Sequence, residues 1–191
     1  MNQISIVEAL GLLNQTLTKH HPELVIANPG VETATIESIR EQAPCLPEQF
    51  FELISICDYS KSKFFQCINP TPLDRISTAA RSQIDFFSDL GIDVDWFSDK
   101  HDCCRTDMKW REGWVPIGEI NGDPIFLDMD PAPNGFKGQV VMSDSDGWQL
   151  SLQGYSLAHW LTRSSEWIDL EPAYYDPLVF SEMPPPSEFA G

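Results

Sequence analysis

The chain has 191 residues, 42% of them hydrophobic and 21% charged, with a formal net charge of −17. That length and composition suit one folded domain with its own core, and they exclude a wholly disordered chain. No run of about 18 apolar residues occurs, which excludes a membrane-spanning helix, and the acidic excess repels nucleic acid and anionic lipid.

The first residues, MNQISIVEALGLLNQ, lack the basic opening and small-residue cleavage site of a secretory signal, so the expected location is the cytoplasm. Five cysteines, an odd number with no C-x-x-C pair, fit reduced thiols better than a disulfide framework. The charge is uneven. Residues 85–102 and 117–146 each carry six acids and one base, and residues 164–191 carry six acids and no base. Such runs attract cationic protein surfaces, and each also serves solubility.

Ile6, Val7, Leu10, Leu13 and Leu17 predict an amphipathic helix over 4–18. Asn28-Pro29-Gly30 is a turn, followed by a short helix from about Thr33 to Glu41 that shows Ile36 and Ile39 to the core. Pro44 ends it, and Pro47 suits the first position of another helix, with Phe50, Phe51, Leu53, Ile54 and Cys57 on its apolar face. Lys63–Ile68 reads as a short strand. Pro72–Leu90 reads as a helix with Leu73, Ile76, Ala80, Ile84 and Phe87 on one side and Gly91 beyond its end. Residues 92–112 read as an irregular loop with a short strand near Val94–Phe97.

From Gly113 the period becomes two. Val115 and Ile117 alternate with Pro116 and Gly118, and Asn121-Gly122 is a hairpin turn. Ile125, Leu127 and Met129 then alternate with Phe126, Asp128 and Asp130. Beyond the loop 131–135, Gln139–Met142 and Trp148–Leu152 form two further strands joined by an Asp146-Gly147 turn, giving a meander of about four. Tyr155–Arg163 closes with a helix that turns Leu157, Trp160 and Leu161 inward, and 171–191 reads as an acidic, proline-rich tail docked through Tyr174, Tyr175, Leu178 and Phe180.

Catalytic signatures are missing. There is no P-loop, no G-x-G-x-x-G after a strand, no H-E-x-x-H and no G-x-S-x-G. His101, Cys103 and Cys104 lack the spacing of a zinc site, and Asp128-Met129-Asp130 and Asp144-Ser145-Asp146-Gly147 lack the spacing and closing Glu of a calcium loop. Asp123, Asp128 and Asp130 lie close enough to pose as an acid–base pair, but no nucleophile or oxyanion element accompanies them. The expectation is therefore no enzyme, no catalytic residue, no metal and no cofactor. Trp110, Trp114, Trp148 and Trp160 are candidate interface anchors, with Trp148 and Trp160 at core-facing positions. His20 and His21 end the first helix, where a cation favours the dipole.

Several motifs occur in a fixed order. Leu46-Pro47-Glu48-Gln49-Phe50 is similar to an L-P-x-x-[YF] helix opening, and Trp114-Val115-Pro116-Ile117-Gly118 to W-[IV]-P-[IF]-[GA]. Gly122-Asp123-Pro124, Leu127-Asp128-Met129-Asp130-Pro131 and Gly138-Gln139-Val140 follow, and Ser156–Leu161 is similar to a closing S-F-x-x-W-L helix. Over roughly residues 32–162 the chain thus resembles the SUKH superfamily, the Smi/Knr cell-wall-assembly-regulator-like family. It departs where the family often has Asn-Gly, since Asp58-Tyr59 stands there.

The resemblance implies an α+β fold. One mixed, largely antiparallel sheet of about 4–6 strands packs with N- and C-terminal helices in a domain spanning 1–170. It also implies a protein-binding module, of the type of bacterial immunity proteins that block a cognate toxin, often a nuclease. The alternative is an intracellular scaffold or regulator. A nuclease presents Lys and Arg to phosphates, so an acidic inhibitor is steered toward it. The expected partner is therefore a basic protein toxin, with no nucleic acid and no membrane, and with the oligomeric state open. Candidate contacts are Asp123, Asp128 and Asp130, Trp114, and Asp93, Asp95 and Asp99 of the acidic run. Asp128 is the first choice because alternation sets it opposite Leu127 and Met129, away from the core. Asp123 and Asp130 have a competing structural role, accepting backbone N–H groups beside Pro124 and Pro131.

Overall fold

The structure, a computed structural model, describes residues 4–89, 98–99, 102–105, 113–144 and 149–172, except the side chains of 86–88 and 98–99. Helix α1 (Ile6–His20) starts with a capping box: Ser5 Oγ accepts from the Glu8 N–H at 3.2 Å, and Glu8 Oε2 accepts from the Ser5 N–H at 2.9 Å. Ile6, Leu10, Leu13 and Leu17 are buried as their spacing predicts, whereas Val7 is 60% exposed. At about 100° per residue Val7 falls beside the stripe rather than on it.

Helices α2 (Thr33–Gln42) and α3 (Glu48–Ile56) follow the predicted ranges closely. Ile39 is buried and Ile36 partly so. Pro47 sits one residue earlier than expected, as the extended N-cap of α3 rather than its first helical residue. All five residues of the predicted apolar face of α3 are buried. A chain of rings continues from that face: Phe51, Phe50, Tyr59, Phe65 and Phe64 meet edge-on with centroids 5.2 to 5.9 Å apart, and Phe65 meets Trp160 at 6.4 Å.

Lys63–Ile68 is not a strand. Phe64–Ile68 is a 3₁₀ turn, ended by Asn69 in the left-handed region at φ 39°. Phe64, Phe65 and Ile68 are all buried, a helical i, i+1, i+4 set that a short apolar run cannot distinguish from a strand. Another 3₁₀ turn, Leu73–Arg75, leads into α4 (Ile76–Asp89), so the predicted helix begins a little late and in the tighter form. Leu73, Ile76 and Ala80 are buried and Ile84 partly so.

The sheet is built from β2 (Trp114–Ile120), β3 (Asp123–Asp128), β4 (Gln139–Asp144) and β5 (Gln149–Gly154), each antiparallel to the next. The two-residue β1 (Ser98–Asp99) lies parallel along β5, giving the order β1-β5-β4-β3-β2. Asn121 and Gly122 turn β2 into β3 with φ of 54° and 92°, as expected of a two-residue hairpin. A register shift falls between Pro116 and Gly118. At that bulge the outer edge of β2 is met by the preceding segment: the Thr71 N–H donates to the Ile117 carbonyl at 2.9 Å, and Pro70 bridges Gly118.

Helix α5 (Leu157–Leu170) runs seven residues past the predicted end and packs lengthwise on α1. The two are joined by Thr16 and Ser165 hydroxyls 2.8 Å apart and by Lys19 and His20 at Asp169. His20 therefore meets a side chain of α5, and His21 caps α1 through its backbone. Leu157, Trp160 and Leu161 face inward as predicted.

The helices and one sheet face share the main core, with Val115, Ile117, Ile125, Leu127 and Val140 beneath α1, α3 and α5. A second cluster covers the opposite face: Trp114, Phe126, Val141, Leu150 and Leu152 pack with Cys103, Cys104 and Ile84. Pro116 and Gly118, expected on an outward face, are buried too. The fold is α+β, as the resemblance implied. Among the described residues no helix is long and apolar enough to cross a membrane. The side chain of Phe87, together with Val94–Phe97, Trp110, the Asp146-Gly147 turn, Trp148 and the tail beyond 172, lies outside what the structure describes.

Candidate partner-binding surface

The register of β3 decides the fate of the predicted acidic surface. Asp128 pairs with Trp114 on one side and Gln139 on the other, so the three form a row across the second sheet face. Because that face is covered, Asp128 has no exposed surface. Alternation does set it opposite Leu127 and Met129, but away from one core means into the other. Trp114 is also fully buried, stacked on Phe126 at 4.8 Å, and so offers no anchor to a partner.

Asp128 instead holds a clasp. Its Oδ2 accepts from Gln139 Nε2 at 2.9 Å and its Oδ1 from the Asp130 N–H at 3.0 Å. Burial pushes its carboxyl up to about 6, against the opposing pull of those two hydrogen bonds. Gln139, itself fully buried, also donates from Nε2 to the Cys103 carbonyl at 3.0 Å and accepts at Oε1 from the Phe136 N–H at 3.0 Å. Sequence reasoning placed Gln139 in a motif and gave it no role. A glutamine beginning an apolar strand, in register with an aspartate, was the available signal.

The clasp fixes the loop 129–138. The Gly138 N–H donates to the Asp128 carbonyl at 2.7 Å, and the Ala132 N–H to the Cys103 carbonyl at 3.0 Å. Gly135 lies so close to that carbonyl that a Cβ there would stand 2.1 Å from its oxygen. Arg105 Nε donates to the Pro131 carbonyl at 3.2 Å and lies 3.6 Å from Asp130 Oδ1. Beside the proline, Asp128 accepts the Asp130 N–H, while the Asp130 side chain is about half exposed.

Asp123 lies at the far end of β3, about 17 Å from Asp128 at ~3.3 Å per residue. Continuing the β3–β4 register by two residues sets Asp123 opposite Asp144, with Glu119 beside them across from Pro124. All three are partly exposed. The predicted trio is therefore divided: Asp123 joins carboxylates at the hairpin end, Asp128 is buried, and Asp130 sits on the opposite loop. Asp93 and Asp95 lie outside the described residues, and of Asp99 only the backbone in β1 is described.

On the loop 129–138, Phe136 is 46% exposed. Its ring meets Tyr155 edge-on at 5.2 Å, and Tyr155 stacks on His159 at 5.1 Å. His159 Nδ1 accepts from the Tyr155 N–H at 3.1 Å, and burial, then the Arg163 charge, hold the imidazole down to about 4.

A cleft of about 550 Å³ opens between the start of α2 and the turn after α3, lined by Asn28, Glu32, Asp58, Ser60, Lys61 and Asp74 among others. Asp58, at the departure from the family pattern, is used internally: Ser60 Oγ donates to it at 2.6 Å and Lys61 Nζ pairs with it at 2.7 Å. Tyr59 is buried, its hydroxyl donating to the Thr71 carbonyl at 2.9 Å. Asp128, the carboxyl shifted by burial, does not line this cleft. All five cysteines stand as thiols, and no cluster of metal-ligating side chains occurs among the described residues.

Comparison with curated proteins gives no match. The model of one protein family does match, over residues 30–163, a span that takes in α2, the sheet, the clasp and the first half of α5. By that match, the chain belongs to the SMI1 / KNR4 family (SUKH-1).

Proposed function

We propose that this chain is a non-enzymatic, cytoplasmic immunity protein that binds and neutralises a cognate basic toxin. Family membership supports a protein-interaction or immunity-type module in general. The observation that carries the finer reading is the net charge of −17. A basic partner is drawn to such a surface from a distance, and the attraction weakens as salt screens it. Glu119, Asp123 and Asp144 at the hairpin end are the described carboxylates best placed to contact it, with Asp130 on the opposite loop.

The test is a pull-down from the native source at low and high salt. Recovery of one basic protein, lost as salt rises, is the expected result. A salt-resistant endogenous partner would instead favour a scaffold or regulator, a reading to which the exposed Phe136 lends weight.

A further inference from the structure

We draw no further inference here: the strongest candidate, the cleft of about 550 Å³ between the start of α2 and the turn after α3, carries the carboxylates of Glu32, Asp58 and Asp74, but Asp58 is already held by Ser60 and Lys61 and nothing in the structure shows what the cleft would take.

Discussion

Asp128 and His159 titrate in opposition, and removing either exposes the other. Asp128 is buried and its folded-state carboxyl is raised from 3.8 to about 6. The native state therefore holds a proton that the unfolded chain releases, so the stability this group contributes is full below the unfolded value and is lost as pH rises through about 6. Over about two units this amounts to about 2–3 kcal/mol. His159 runs the other way. Its folded-state value falls from 6.5 to about 4, so its contribution is present above 6.5 and is lost as pH falls toward 4. The shift corresponds to about 3 kcal/mol, and partial exposure of the ring reduces that to about 2 kcal/mol.

Between about pH 7 and about pH 4 the two contributions nearly cancel. Asp128→Asn removes the gain, so its stability falls relative to wild type by about 2–3 kcal/mol on acidification. His159→Gln removes the loss, and its stability rises relative to wild type by about 2 kcal/mol over the same range. Urea denaturation followed by tryptophan fluorescence, at four or so pH values, reads both slopes. The carboxylates held low by Ser5, Arg40 and Lys19 — Glu8, Glu48 and Asp169 — act equally in all three proteins and drop out of the difference. Absolute stability at neutral pH is less diagnostic. The Asp128→Asn variant would lose the buried charge but present an amide to two donors, Gln139 Nε2 and the Asp130 N–H. A pH slope in Asp128→Asn identical to wild type would refute the reasoning, because burial would then not govern this carboxyl.

Gly135→Ala places a methyl against the Cys103 carbonyl and should cost about 2–4 kcal/mol by parting the loop 129–138 from residues 102–105, measured as a fall in the urea midpoint. Tyr59→Phe removes the hydrogen bond to the Thr71 carbonyl from a buried ring, and chemical denaturation should show a loss of about 1 kcal/mol. Ser5→Ala breaks the capping box of α1, with an expected loss of about 1 kcal/mol by thermal unfolding.

Much of the architecture was legible because its signals are local. The stripe in α1, the Asn121-Gly122 turn and the inward face of α5 follow from spacing and backbone preference alone. The candidate site was less legible because it depends on what covers the sheet. Alternation in β3 correctly separates Leu127 from Asp128, but it cannot say that Cys103, Cys104 and Trp114 close the second face. The consecutive apolar residues Ile125-Phe126-Leu127 and Val140-Val141-Met142 did carry that message, since a strand buried on both faces loses its polar alternation. The division of the acidic trio follows from length: residues seven apart in sequence stand at opposite ends of a strand. The strand reading of Lys63–Ile68 failed for want of length, because so short a run does not settle a period.

The Pro70–Thr71 segment along β2 has an evolutionary consequence. It occupies the open edge where another chain would add a strand, and neither Pro70 nor Pro116 has an N–H to offer. Recognition at this edge by backbone pairing is therefore blocked, and partners there must be told apart by side chains. Backbone pairing is insensitive to sequence, whereas a side-chain interface changes with each exposed substitution. Side chains such as Glu119, Asp123 and Asp144 can therefore change without disturbing the register that holds the sheet together.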